Sequence, residues 1–242
     1  MNNDVKREII DLATLDEVAR ERLTEEMFAL NTLLFDGVDH EQFVREVIAL
    51  PARWTRIQLL RNAAGELIGY NAAHLFDRVL EGRPCSIFRV EAGILRAYRG
   101  RRSTFLFGMR QALAYRLRHP FRRLYLFCTP VHPSSYCLLA GHFHEVYPGP
   151  GRPVPPAMQT LMQEMADGFG EIPAASGDPG LRQVGWITRE GEQETLRWQA
   201  SEAPEVRFYL TRNPDYRQGV GLVTLVPLSW RNLLMTSWKA SG

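Results

Sequence analysis

Between Ala92 and His144 the chain has no Asp or Glu but nine arginines, four of them in the run Arg96-Ala-Tyr-Arg99-Gly100-Arg101-Arg102-Ser103-Thr104. An apolar, strand-like stretch precedes this run and a helix-like one follows it. Turn N–H groups, guanidinium groups and a helix N-terminus brought together this way make an anion site, so the chemistry expected here is phosphate binding. Glu91 is the last acid before the stretch and stands in an otherwise apolar strand, either as a proton acceptor or as an ion-pair partner of Arg89 or a helix arginine. His132 has an imidazole that titrates near neutrality, although a His before a Pro also serves simply to cap a turn. Tyr136 either packs at the start of a helix or donates a phenolic proton to a departing anion. Cys128 is a weaker candidate, since a thiol in a continuous apolar strand with no adjacent base is more often inert.

The rest of the composition narrows the class. The formal net charge is only +2 over 242 residues, so the positive charge is local. No aromatic-interleaved basic patch or helix-turn-helix pattern accompanies it, which argues against nucleic acid as partner. The downstream arginines, Arg110, Arg116, Arg118, Arg122 and Arg123, read as a solvated helix face or as a docking face for an acidic partner. No apolar run approaches the roughly 18–20 residues of a membrane span, and the polar N-terminus lacks a signal-peptide core, so a cytoplasmic protein is expected. Cys85, Cys128 and Cys137 have no metal-ligand spacing and read as buried free thiols, with no metal site.

The elements that would position these groups can be read from periodicity. Residues 4–50 carry helical spacing: Ile9, Leu12, Leu15 and Val18 share one face, and Leu23, Met27, Leu30, Leu33 and Leu34 another. Asp39 caps a third helix, which Pro51 ends. Strands are expected over 54–61 and 67–76, joined by the turn Asn62-Ala-Ala-Gly65, and a third over 85–95. A helix holding Phe105, Met109, Leu113, Tyr115 and Leu117 follows the arginine turn, then a strand over 123–129 that the short crossover makes parallel to the previous one. A helix starts at Pro133, and 143–147, 206–210 and 222–226 read as further strands. The Pro/Gly cluster 148–156 divides the chain into 1–150 and a C-terminal extension, 151–242, packed on or completing the same sheet.

This order of elements, with its Arg/Gly turn, resembles the GNAT N-acetyltransferase superfamily over about residues 23–150. The family signature is Arg or Gln, two residues, Gly, one residue, then Gly or Ala. It falls on Arg99, Arg102 and Thr104, so that Arg102 and Thr104 stand at the two small-residue positions. The resemblance implies an α/β fold: a mixed, mostly antiparallel sheet with one splayed parallel strand pair, helices on both faces, and the C-terminal extension added. It also implies that Arg99, Gly100, Arg101, Arg102, Ser103 and Thr104 meet the donor's phosphates, with Ala92, Gly93, Ile94 and Leu95 along its pantetheine. Glu91 would be the general base and Tyr136 and His132 further catalytic groups. The family's Asn leading the next helix is His132 here, and its Tyr position is Leu139, with Tyr136 about one turn earlier.

The implied function is transfer of an acyl group from a thioester to an amine. The donor is acetyl-CoA, a longer acyl-CoA, or acyl-phosphopantetheine on an acyl carrier protein. The altered turn and the extension both depart from an ordinary acetyltransferase, and altered turns are also found in N-acyl amino acid and acyl-homoserine lactone synthases, which resemble the family in fold. The alternative is a non-catalytic module of the same fold that senses an acyl thioester or binds an acidic protein.

Overall fold

The structure is a computed structural model; it describes residues 5–80, 82–99 and 103–236, with the backbone alone at 103 and 104. The chain forms two compact units, residues 1–122 and 123–242. The first contains β1 (Lys6–Asp11), α1 (Glu17–Leu34), β2 (Phe35–Asp36), α2 (His40–Phe43), β3 (Trp54–Arg61), β4 (Leu67–Leu80), β5 (Arg83–Ile94) and α3 (Ser103–Arg118). Here β1 pairs with β3, β3 with β4, and β4 with β5, all antiparallel.

The β3–β4 turn forms for a local reason. The Asn62 side chain accepts the N–H groups of Ala64 and Glu66, each at 3.0 Å, and Gly65 takes the left-handed conformation at φ +87°. Helix α1 starts where the Asp16 carboxylate accepts the Ala19 N–H at 2.7 Å. Its stripe Leu23, Met27, Leu30 and Leu34 is buried at helical spacing. It lies on the face of β4 that carries Tyr70, whose hydroxyl donates to Asn31 Oδ1 at 2.8 Å and whose ring meets Phe43 of α2 edge-on. The opposite face takes α3, where the Tyr115 ring packs edge-on against Phe88 and its hydroxyl shares a 2.8 Å hydrogen bond with Ser86.

The second unit contains β6 (Arg123–Cys128), α4 (Pro133–Ala140), α5 (Pro156–Gly168), β7 (Ile172–Pro173), β8 (Leu181–Gln183), β9 (Ile187–Thr188), α6 (Glu192–Gln199), α7 (Pro204–Arg212), β10 (Val220–Leu222), β11 (Thr224–Pro227) and α8 (Trp230–Met235). Strand β11 pairs antiparallel with β6, whereas β10 pairs with β8 and β8 with β7. The core gathers Tyr136, Leu181, Tyr209, Val220 and Leu222. Buried Asn213 ties it together, donating to the Tyr209 hydroxyl at 3.1 Å and to the Val220 carbonyl at 2.8 Å. The Pro/Gly segment 148–156 lies within this unit. Among the described residues no helix is long and apolar enough to cross a membrane.

The mixed α/β class with a mostly antiparallel sheet and surrounding helices is what the sequence led one to expect; several elements differ. Residues 6–11 form an edge strand, not a helix, because backbone pairing with β3 holds them although most of their side chains are exposed. Residues 206–210 are helical, since Pro204 favours a helix start and Val206 and Tyr209 then share the buried face. Of residues 143–147, only Tyr147 bridges to another segment, at Leu225. The stretch 222–226 is split at Val223 between two sheets.

Candidate functional site

Glu91 sits on β5 opposite Ala72 of β4, and its neighbour Arg89 lies opposite His74. Period-two alternation therefore puts Arg89, Glu91 and His74 on one sheet face, together with Thr55 of β3, which pairs with His74. His74 is fully buried, and its Nε2 lies 2.9 Å from Glu91 Oε2, a close polar approach that is off line for a hydrogen bond. Its Nδ1 lies 2.9 Å from Thr55 Oγ1. The other Glu91 oxygen is 3.6 Å from Arg89 Nε, and the Glu91 side chain keeps 18% of its surface exposed. A row thus runs from Thr55 through buried His74 to a carboxylate that reaches solvent. The Tyr70 phenol on the same face is pushed up, first by burial and then by the Glu91 charge. This row can hold a carboxylate in one orientation and let it take a proton from a bound amine.

Sequence reasoning named Glu91 and Arg89 but not His74 or Thr55. Their signal was present only in the register: the β3–β4 hairpin closed at Gly65 sets Thr55 against His74, and the β4–β5 pairing sets His74 against Arg89.

Ala92, Gly93 and Ile94 close this strand, and Leu95 follows it. A Cβ on Gly93 would come within 2.6 Å of Leu34 Cδ1 and 3.2 Å of Tyr70 Cε1, so this glycine lets α1 approach the sheet. Gly93→Ala should cost about 1–3 kcal/mol by overpacking. Urea unfolding is the measurement, and an unchanged midpoint would mean that α1 yields freely.

Arg99 lies after a short 3₁₀ turn, and its Nε donates to the Ile94 carbonyl at 3.3 Å. Gly100, Arg101 and Arg102 lie outside the described residues, and α3 begins directly after them at Ser103 with Thr104 next. Two of the downstream arginines belong neither to a solvated face nor to a docking face. Buried Arg116 donates to the carbonyls of Pro120 at 3.1 Å and Arg122 at 2.6 Å, fastening the end of α3. Arg122 in turn donates to Ser86 Oγ at 2.6 Å and Asp77 Oδ1 at 2.7 Å.

His132 and Tyr136 belong to the second unit, and the Glu91 row belongs to the first. Tyr136 is fully buried, stacks on Phe208 and donates its hydroxyl to the Pro148 carbonyl at 2.9 Å. Burial, followed by Cys137 and Glu205, pushes its phenol up. These are the contacts of a packing tyrosine. His132 caps α4, its Nδ1 accepting the Ser134 N–H at 3.2 Å, and its Nε2 lies 3.2 Å from Glu190 Oε2. Both side chains are almost wholly buried, and the Tyr216 hydroxyl donates to the other Glu190 oxygen at 2.8 Å. Nothing in the sequence marked Glu190, which is 58 residues from His132. The Cys137 thiol is pushed up to about 12 by burial and by Glu205, which makes it unreactive. Among the described residues no group of three or more His, Cys, Asp and Glu could hold a metal ion.

No protein-family model and no curated protein matches the sequence. Among solved structures, an acyl-CoA N-acyltransferase from Pseudomonas aeruginosa is 19% identical, with 60% of this chain and 91% of that one covered and a TM-score of 0.35. Glucosamine-6-phosphate N-acetyltransferase from Arabidopsis thaliana is 14% identical over 55% of this chain and 88% of its own, with a TM-score of 0.34. A protein of unknown function from Enterococcus faecalis is 16% identical over 58% of this chain, with a TM-score of 0.36; the match spans 33% of that protein. The chain is similar, in these shares, to N-acyltransferase structures.

Proposed function

We propose that the chain is an N-acyltransferase of the GNAT type, with Glu91 as the group that takes the proton from the attacking amine. The observation that supports this reading most is the row Thr55–His74–Glu91, in which a buried imidazole and Arg89 flank a carboxylate at the edge of solvent. The amine nitrogen attacks the thioester carbonyl, its proton passes to Glu91 directly or through one water, and the C–S bond breaks. The thiolate then takes a proton from solvent, because the Tyr136 hydroxyl is committed to the Pro148 carbonyl. Orientation of donor and amine supplies much of the rate in such direct transfers.

The donor is a pantetheine thioester, carried by CoA or by a carrier protein, and both carry phosphate. We assign that phosphate to residues 99–104, an acid-free arginine run that precedes and enters α3 in the sequence. The test is release of free thiol from acetyl-CoA, a long-chain acyl-CoA or an acyl carrier protein in the presence of an amine pool. Donor binding without thiol release from any of them would overturn the enzyme reading and favour a sensor. Arg99→Ala should weaken donor binding roughly tenfold to a hundredfold, the value of one charge-assisted hydrogen bond. Isothermal titration checks this, and unchanged affinity would remove the phosphate from this turn.

A further inference from the structure

We propose that the second unit carries a ligand site of its own, a cleft that takes a small monocarboxylate with an apolar or amide-bearing body. The cleft measures about 350 Å³, within the range of small-molecule sites. One wall is the face of α5 that presents Gln159, Met162 and Gln163 at helical spacing; the other is α7, with Phe208 and Arg212. Met162 and Phe208 offer apolar surface, and the two glutamine amides offer donors and acceptors for a peptide-like group.

The charge of the site comes from Arg152. This residue lines the cleft and also a smaller one of about 240 Å³, which adds Glu145, Tyr147 and Arg231. The acids of both clefts already have partners. Asp178 lies 3.3 Å from Arg212 and accepts the Gly180 N–H at 2.8 Å. Glu145 accepts the Tyr147 hydroxyl at 2.6 Å, while Asn232 grips its backbone N–H at 2.9 Å and its carbonyl at 2.8 Å. Arg152 lines both clefts, and its charge is felt at that same Tyr147 hydroxyl. In the larger cleft Arg152 and Arg212 stand with a single acid, Asp178, which leaves one surplus positive charge and suits a monoanion. The planar fork of Arg matches a carboxylate in two parallel hydrogen bonds.

This site belongs to the second unit and the Glu91 row to the first, and the two fail separately: thiol release reads one, and equilibrium binding without a donor reads the other. The experiment titrates the full chain with N-acetyl-L-phenylalanine, with its uncharged amide, and with inorganic phosphate. The expected result is saturable one-to-one binding of the carboxylate, with the amide and phosphate at least tenfold weaker. Arg152→Gln removes the charge and Gln159→Trp fills the cleft. Both positions are exposed, so each variant should keep the wild-type melting temperature and lose at least tenfold in affinity. The proposal is overturned by absence of saturable carboxylate binding, by equal binding of carboxylate and amide, by phosphate binding as tightly, or by full affinity in either variant.

Discussion

Glu91→Gln should slow thiol release by about a hundredfold to ten-thousandfold, the range of a positioned general base, with donor affinity essentially unchanged. The substitution keeps the shape of the side chain and its place beside His74 and Arg89, so folding should be unaffected. Full retained turnover would take Glu91 out of the mechanism. His74 is the informative companion. It touches no substrate and is a positioning residue, held at 2.9 Å by Thr55 on one side and lying 2.9 Å from Glu91 on the other. His74→Gln should therefore lower kcat and alter the pH profile of kcat/KM, whereas a merely structural role would change only stability. Thr55→Val should reproduce the same change more weakly, because it frees the imidazole without removing it. A profile identical to wild type in both variants would sink the positioning role.

Breaking the His132–Glu190 contact should cost about 1–3 kcal/mol, because each buried side chain then has one polar partner fewer, although Glu190 keeps Arg217 Nε at 3.5 Å and the Tyr216 hydroxyl. Glu190→Ala also leaves the Tyr216 hydroxyl without its acceptor, an oxygen it reaches at 2.8 Å. His132→Asn separates the two roles of the histidine. Asn retains a side-chain acceptor for the start of α4, yet loses the reach to Glu190. If capping were the main contribution, His132→Asn would be close to wild type in denaturant; the expectation here is that it resembles Glu190→Ala. The double variant should cost less than the two single changes together, as coupled sites do. A loss below about 1 kcal/mol for Glu190→Ala would show that the pair adds little.

Much of the fold was legible because local chemistry decides it. Asn62 and Gly65 specify one turn, Asp39 begins a helix, and Pro133 begins another. Residues 6–11 were not legible, since Ile9 and Leu12 fit a helical face as well as a strand, and it was the free edge of β3 that decided. Residues 206–210 look like a strand by composition, but Pro204 and the burial of Val206 and Tyr209 make them a helix. The site divides along the same line. Glu91 could be found because an acid in an apolar strand is unusual. His74 required the register of two hairpins, and Glu190 required a tertiary contact across 58 residues, which no spacing rule encodes. The arginines show the opposite error: Arg116 and Arg122 look like surface charge in one dimension and act as internal fasteners in three.

Val223 is the only residue between β10, which belongs to the three-stranded sheet, and β11, which pairs with β6. Its N–H donates to the Gly180 carbonyl at 2.9 Å, so the crossing point is itself tied down. One residue has almost no slack: at about 3.3 Å per residue, neither sheet can peel away without pulling the other out of register. The second unit should therefore melt in a single cooperative step, with hydrogen exchange in β8 and β11 reporting the same opening free energy.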